Sequence, residues 1–199
     1  MIGLFYDTET TGLPDFRAPS ESEHQPHLVQ LAARLVDLDT RSLINSMDVI
    51  VRPDGWIIPD DVAEIHGITT ERALVEGVPE GSAIGALMDM WEEAQIRIAH
   101  NEPFDARIVR IALVRHMDQA MADKWKEGKA ECTARLATPI CKLPPTPKMV
   151  AAGLNKFKTA SLGEAYRHFT GKELEGAHSA RADVHGCMEV YFAIKGEAA

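Results

Sequence analysis

The sequence predicts an α/β fold with a mixed sheet, and three observations support this prediction. Residues 1–6 (MIGLFY) are almost wholly apolar, which is typical of a strand buried on both faces. Residues 28–38 and 44–52 have the composition of two further strands, and beyond them helical periodicity alternates with short strand-like segments. Such an order indicates a layered α/β fold. The length of 199 residues is sufficient for one domain with a proper core.

The first predicted strand ends at an acidic pair, Asp7 and Glu9. In an extended chain, side chains two residues apart point the same way, so both carboxylates would face one spot. Two anions that close repel each other unless a positive group lies between them. Hard cations such as Mg²⁺ prefer oxygen ligands of this kind. The pair alone is a weak indication, because Asp-x-Glu is common and usually belongs to a solvated turn.

A long loop and two antiparallel strands are expected next. Residues 13–27 are polar and contain prolines, so we predict an irregular loop of a length that often has a function. By periodicity, residues 28–38 fit either a helix or a strand. We predict a strand, because residues 39–42 resemble a hairpin turn and residues 44–52 supply a partner strand. Together with the first strand, these two would build an antiparallel meander.

The remaining periodicity predicts helices that alternate with two short strands. The predicted helices cover residues 60–65, 69–72, 82–94, 104–117, 161–169 and 179–195. The predicted strands cover residues 97–99 and 131–136, and residues 139–158 form a connection rich in Pro and Lys. Gly67 should end the first of these helices, since glycine is favoured just after a helix.

Composition limits the classes of protein that need to be considered. No apolar run approaches the span of a bilayer, and the N-terminus lacks the order of a signal peptide, so we expect no membrane association. The three cysteines are odd in number and lack C-x-x-C spacing. This pattern favours a reduced, cytoplasmic protein without a disulfide framework or a zinc knuckle.

The net charge of −9 is unevenly distributed. Residues 54–93 contain ten acidic residues and one basic residue, whereas residues 142–158 contain four lysines and no acid. A polyanion could therefore approach from one side, although a solvated surface explains the asymmetry equally well.

Two further acids and a histidine lie near predicted helix starts. Asp105 follows Pro103, which suits a first helical turn, and would lie near the positive end of that helix dipole. His178 and Asp183 are five residues apart around Ser179, a candidate cap of the last helix. Each of these residues alone has an ordinary structural explanation.

Together, these residues resemble the three motifs of the DEDDh exonucleases, the DnaQ-like group that includes bacterial proofreading subunits and ribonuclease T. The matching segments are residues 7–13 (DTETTGL), His100-Asn101-x-x-Phe104-Asp105 and His178-x-Ala180-x-x-Asp183. Residues 65–69 (IHGIT) also resemble a segment of the family between the first two motifs. The resemblance runs from residue 2 to about residue 192, which is nearly the whole chain.

The resemblance implies a ribonuclease H-like fold, with a mixed five-stranded sheet flanked by helices, as a single exonuclease domain over residues 1–199 (core about 2–195). It implies hydrolysis of the terminal phosphodiester at a 3′ end, which releases nucleoside 5′-monophosphates. Two ions of Mg²⁺ or Mn²⁺ would serve this chemistry. The implied metal ligands are Asp7, Glu9, Asp105 and Asp183, and His178 would be the general base, a role that suits an imidazole.

The resemblance also implies a pocket for the terminal nucleotide, formed after the first motif and at the His-Gly segment. The candidate substrate-binding residues are Thr8, Thr10, Leu13, His66, Asn101 and Phe104. Core packing remains an alternative for Leu13 and Phe104, as does a local partner for His66. Single-stranded DNA is the favoured substrate. An RNA-trimming exoribonuclease and, less favoured, a non-catalytic nucleic-acid-binding module are the alternatives.

Several features stay open at this level. A DNA polymerase is a conceivable partner, but no docking tail follows the last predicted helix, so a freestanding nuclease is favoured. Glu102 adds an acid beside the second motif and could reach a metal or face solvent. The oligomeric state, the role of residues 13–27 and the biological pathway (replication or repair) do not follow from these residues.

Overall fold

A five-stranded mixed sheet lies at the centre of the protein, whose computed structural model describes residues 1–197. The strands are β1 (Ile2–Thr10), β2 (Leu28–Asp37), β3 (Leu43–Ile50), β4 (Ile96–Ala99) and β5 (Ala130–Cys132). Their order across the sheet is β3-β2-β1-β4-β5. The first three strands pair antiparallel as the predicted meander, whereas β4 pairs parallel with β1 and β5 pairs parallel with β4. The predicted α/β fold is confirmed.

Helices connect the strands and cover both faces of the sheet. They are α1 (Asp60–His66), α2 (Thr70–Glu76), α3 (Glu80–Glu93), α4 (Glu102–His116), α5 (Gln119–Glu127), α6 (Thr133–Cys141), α7 (Pro147–Ala151), α8 (Leu162–Thr170) and α9 (Ala180–Glu197). As predicted, α1 ends at Gly67, whose φ of 73° is left-handed. Thr69 caps α2, and Ser161 caps α8 in a reciprocal capping box with Glu164.

Hydrophobic clusters lie on both faces of the sheet. Leu4 and Tyr6 of β1 pack with α3, α4 and α5, whereas Phe5 between them packs against α9. This alternation follows from the period of two of an extended chain. All three side chains are fully buried, which confirms the two-sided burial predicted for the first strand. A further cluster joins α6 and α8 to α9.

β1 is longer than predicted. Its pairing with β2 continues through Glu9, opposite Gln30, and reaches Thr10 after a shift of register. The predicted strand end at residue 6 is therefore wrong, because β2 supplies backbone partners for four more residues. Asp7 and Glu9 lie within the strand, on the face of Phe5 that α9 covers.

The fifth strand is much shorter than predicted, and three helices lie where none was predicted. β5 ends at Cys132 and α6 follows at once, with Thr133, Ala134 and Ala137 on its buried side. The prediction of a strand over 131–136 missed this helical spacing. Likewise, the predicted connection 139–158 contains the last turn of α6 and the short α7. The amphipathic α5 was also missed, although Asp118 caps it.

No helix within residues 1–197 is long and apolar enough to cross a membrane.

Candidate active site

Three carboxylates from two elements converge near the end of β1. Asp7 and Glu9 project from one face of β1, and Asp183 projects from the first turn of α9, which packs on the same face. One oxygen of each carboxylate lies within 4.8 Å of an oxygen of the other two. The sheet therefore supplies two acids at a spacing of two residues, and the helix adds the third.

Asp105 comes from the start of α4 and is held by Thr8, which points away from Asp7 and Glu9. The backbone N–H and the hydroxyl of Thr8 both donate to Asp105 Oδ1, at 3.0 and 2.8 Å. Burial raises the pKa of Asp105 to about 8, although the two hydrogen bonds favour the ionised form. Asp105 is close enough for its charge to raise the pKa of Asp7. Asp105 of the second motif therefore contacts the first motif through Thr8, the residue between Asp7 and Glu9.

Burial disfavours the ionised form of all four carboxyl groups, and neighbouring charges add to this effect for Asp7 and Glu9. Burial, followed by the charges of Asp105, Asp183 and Glu9, raises the pKa of Asp7 well above its usual range. Burial and the charge of Asp183 raise the pKa of Glu9 to about 7. Burial also raises the pKa of Asp183. A cation placed between these groups would lower their pKa values and favour the ionised forms.

The surroundings of the Asp183 carboxylate indicate whether this cluster suits a metal ion. Its Oδ2 accepts a hydrogen bond from the backbone N–H of His178 at 3.3 Å, whereas its Oδ1 is buried and has no partner among the described residues. A buried carboxylate oxygen without a partner is costly. A divalent cation with a preference for oxygen ligands would satisfy it. The donor set therefore fits Mg²⁺ or Mn²⁺.

His178 lies beside Asp183 with its side chain exposed. Its φ of 66° is left-handed, which is uncommon for a residue with a side chain. The turn that results directs the backbone N–H of His178 at Asp183. Within residues 1–197, the imidazole makes no hydrogen bond or ion pair, so it is available to a molecule that enters the site.

Two threonines predicted to bind substrate have internal partners. Both Thr8 donors are used by Asp105, so Thr8 positions a carboxylate. The Thr10 hydroxyl donates to the Gly12 carbonyl at 2.7 Å and shapes the turn after β1. Leu13, which follows this turn, is 85% exposed, so the alternative of core packing for Leu13 is wrong.

The other candidate substrate residues differ in their surroundings. His66 is buried at the end of α1; its Nδ1 accepts from the Ile68 N–H at 3.2 Å, but its Nε2 has no partner among the described residues. Asn101 is exposed and left-handed, with a φ of 66°. Phe104 is half-buried against the α3–α5 side of the core, which agrees with the packing alternative.

Glu102 does not belong to the acidic cluster. It is buried, and its Oε1 accepts from Arg97 Nε at 2.8 Å and from the Tyr6 hydroxyl at 3.2 Å. Arg97 lies over the ring of Trp125 and also donates to the carbonyls of Trp125 and Gly128. This pair anchors the start of α4 to β4, so the open question about Glu102 is answered by a structural role.

Gln30 is a positioning residue that sequence reasoning missed. Its Oε1 accepts from the backbone N–H of Ala180 at 3.1 Å, and its Nε2 donates to Asp48 at 2.6 Å. It therefore ties the first residue of α9 to β2, three residues before Asp183. The available signal was a polar residue within the otherwise apolar segment LVQLAA.

Two arginines of α4 hold the loop 13–27. Arg107 donates to the Ser20 hydroxyl at 2.8 Å and to the Ala18 carbonyl at 2.5 Å. Arg115 donates to the carbonyls of Gln25 and Pro26 at 3.1 and 3.3 Å. The helix that carries Asp105 thus also fixes the path of the chain after the first motif.

The sequence is similar to those of known proteins. The model of the exonuclease family RNase_T matches residues 4–191. A DNA polymerase III subunit epsilon-like protein of Rhodobacter capsulatus is 33% identical over 107 residues, which are 54% of this chain and 14% of that protein.

Solved structures show the same fold. Escherichia coli exonuclease I in complex with a dT13 oligonucleotide superposes with a TM-score of 0.74 at 18% identity, over 98% of this chain and 41% of that one. Exonuclease I of Methylocaldum szegediense gives a TM-score of 0.73 at 21% identity, over 98% of this chain and 40% of that one. The chain spans less than half the length of these relatives.

Proposed function

Because the chain belongs to the exonuclease family RNase_T, within the DnaQ-like DEDDh group, we propose that it is a metal-dependent 3′–5′ exonuclease. It would hydrolyse the terminal phosphodiester of single-stranded nucleic acid and release nucleoside 5′-monophosphates. The observation that carries this proposal is the cluster of Asp7, Glu9 and Asp183, with a buried, unpartnered Asp183 oxygen beside the exposed imidazole of His178.

Each polar residue of the cluster has a distinct role in this proposal. Asp7, Glu9 and Asp183 would hold one Mg²⁺ or Mn²⁺, with Asp7 shared with a second ion that Asp105 would hold. When bound, such ions lower the pKa of water and neutralise charge on phosphoryl oxygens. His178 accepts the proton of the attacking water at an imidazole nitrogen. The zinc-bound form of a structural relative, the complex of Escherichia coli exonuclease I with single-stranded DNA, supports the use of a divalent ion.

Residues around the cluster keep these groups in place. Thr8 fixes the Asp105 carboxylate from the strand, and the backbone N–H of His178 fixes Asp183. Such positioning is needed because misplaced reacting groups lose much of their rate advantage. For the terminal nucleotide, we propose Leu13, His66, Asn101 and Phe104 as contacts. The exposure of Leu13 and the free Nε2 of His66 support this assignment.

Single-stranded DNA is the proposed substrate, supported by relatives that were solved with dT13 and dA16. A depression of about 320 Å³ lies beside the second motif and combines the half-exposed ring of Phe157 with Arg135 and Lys156. Three residues after Phe157 the chain reaches Ala160, whose carbonyl accepts from His100 of the second motif at 3.0 Å. An exposed ring beside cations suits an unpaired strand. By contrast, Lys158 pairs with Glu164, so its charge is less available to a phosphate.

We also propose the domain organisation, a partner and a location. The chain would act as a single exonuclease domain. A polymerase partner is suggested only by the name of the epsilon-like relative. The cytoplasmic location rests on the cysteine pattern of the sequence.

The test uses 5′-labelled DNA and RNA oligonucleotides of equal sequence, incubated with Mg²⁺, Mn²⁺ or EDTA. We expect a ladder that shortens from the 3′ end only with metal, and faster for DNA. Asp7→Asn should abolish it, whereas Asp89→Asn, at an exposed acid of α3, should not. Faster RNA trimming would favour the exoribonuclease. Internal fragments would indicate an endonuclease, and binding without cleavage would indicate the non-catalytic module.

A further inference from the structure

A groove on the β3 side of α9 is lined by basic side chains. Arg34 of β2 and Arg181 and His185 of α9 line an open depression of about 370 Å³ together with Gly176, Ser179 and Ala182. Arg34 is half-buried, yet its guanidinium contacts only another basic side chain, His185 Nδ1, at 3.3 Å. Neither arginine forms an ion pair with any acid within residues 1–197.

An arginine in such surroundings needs an explanation, because the protein has a net charge of −9 and ample acids. Two acids flank Ala32 on the same face of the sheet: Asp48 accepts instead from Gln30, and Asp7 belongs to the acidic cluster. A half-buried guanidinium without a carboxylate is poorly satisfied. Its planar set of donors matches a phosphate oxygen pair. The groove is therefore complementary to an external anion.

The groove is close to the acidic cluster and on the same face of the sheet, but it lies on the other side of α9. Ala32 lies opposite Asp7 in the sheet, and Arg34 is two residues further along β2. Strand geometry places the Cα atoms of Asp7 and Arg34 about 8 Å apart. Arg181 and His185 are four residues apart and share one side of α9, whereas Asp183 between them points to β1.

One loop borders both places. Residues 176–179 include His178, which contacts Asp183, as well as Gly176 and Ser179, which line the groove. A chain that occupies the cluster can thus continue past this loop into the groove without crossing the protein. β3 forms an exposed edge beyond β2, so the groove is open on its far side.

We propose that this groove, through Arg34 and Arg181, binds a phosphodiester of the substrate strand on the 5′ side of the cleaved bond. This inference rests on the proposed exonuclease function and assigns a backbone subsite that contacts no base. It holds the strand during successive cleavages, and its contribution to affinity falls with salt because each contact displaces counterions.

The test compares Arg34→Gln/Arg181→Gln with Arg52→Gln, which changes an exposed arginine after β3 outside the groove. Binding of labelled dT2 and dT8 is measured by fluorescence anisotropy with Ca²⁺ across a salt series, and a gel verifies that each oligonucleotide stays intact. We expect the double variant to bind dT8 at least fivefold more weakly, while its binding of dT2 changes less than twofold.

The salt series adds a second readout that general destabilisation would not change. Loss of one or two phosphate contacts should flatten the logarithmic salt dependence of dT8 binding by about 0.7–1.4. Arg52→Gln should reproduce the wild type in every measurement. Equal weakening for dT2 and dT8, or an unchanged salt slope, would overturn the groove assignment. Failure of the wild type to cleave with Mg²⁺ would overturn the exonuclease function instead, which separates the two failures.

Discussion

Replacement of Glu9 by Gln should stabilise the metal-free protein at neutral and alkaline pH. The pKa of Glu9 is raised from an ordinary 4.5 to about 7 by burial and by the charge of Asp183. Below pH 4.5 the group is protonated in the folded and unfolded states and has no effect. Between pH 4.5 and 7 the unfolded state is ionised while the folded state keeps its proton, so stability falls as the pH rises. Above about pH 7 the penalty is constant.

The size of the effect follows from the shift. A difference of about 2.5 pKa units corresponds to about 3.5 kcal/mol at roughly 1.4 kcal/mol per unit. Because Glu9 is only partly buried, solvent screens part of this energy, and we expect about 1–2 kcal/mol. In a protein of this length, that gain corresponds to a rise in the melting temperature of about 2–8 °C.

Urea denaturation in EDTA from pH 4.5 to pH 8.5 provides the measurement. The free energy of unfolding of Glu9→Gln relative to wild type should rise from near zero to its plateau above pH 7. Glu64→Gln, which makes the same change at an exposed position of α1, is the control and should show no such rise. Addition of Mn²⁺ should make the wild type more stable than Glu9→Gln, because only the wild type keeps all the proposed carboxylate ligands. A pH-independent difference, or a less stable variant at pH 8, would refute the electrostatic reasoning.

Three further outcomes are expected. Glu102→Gln should lower the free energy of unfolding, measured by urea denaturation, by about 3–5 kcal/mol, because it leaves Arg97 buried with a weaker partner. Its Mn²⁺ affinity should equal that of the wild type. A loss of Mn²⁺ affinity would instead indicate that Glu102 is a metal ligand. His178→Ala should lower turnover by about 10²–10⁴-fold and leave the Mn²⁺-induced rise in melting temperature intact; normal turnover would remove His178 from the mechanism. Thr8→Val removes one hydrogen bond to Asp105, so its already raised pKa should rise further. Titration calorimetry should therefore show a loss of Mn²⁺ affinity that is larger at pH 7 than at pH 9, and an equal loss at both would contradict this explanation.

Much of the fold and of the candidate site could be predicted from local patterns. The meander, the helices capped by Thr69 and Ser161, and the common direction of Asp7 and Glu9 all depend on periodicity or on capping chemistry within a few residues. These are interactions that a short segment specifies by itself. The layered α/β class was also confirmed, since the alternation of elements restricts the possible architectures.

The features that escaped prediction depend on partners distant in the sequence. β1 extends to Thr10 only because β2 is there to pair with it. Glu102 faces inward because Arg97 and Tyr6 meet it, and Thr8 serves Asp105, 97 residues away. Gln30 likewise fixes α9 across 150 residues. Spacing along the chain carries no record of such contacts. By contrast, the missed α5 and α6 had local signals that were overlooked.

The left-handed turns at Asn101 and His178 have a consequence for protein engineering. Each has a φ of 66°, where a side chain costs free energy and glycine does not. A library sorted for heat resistance alone should therefore enrich glycine at both positions, because each replacement should stabilise the folded protein by roughly 1 kcal/mol. The same library sorted for cleavage should retain the imidazole at 178. Divergence of the two selections at these turns would locate, without any inhibitor or ligand, the places where the protein gives up stability to keep its chemistry.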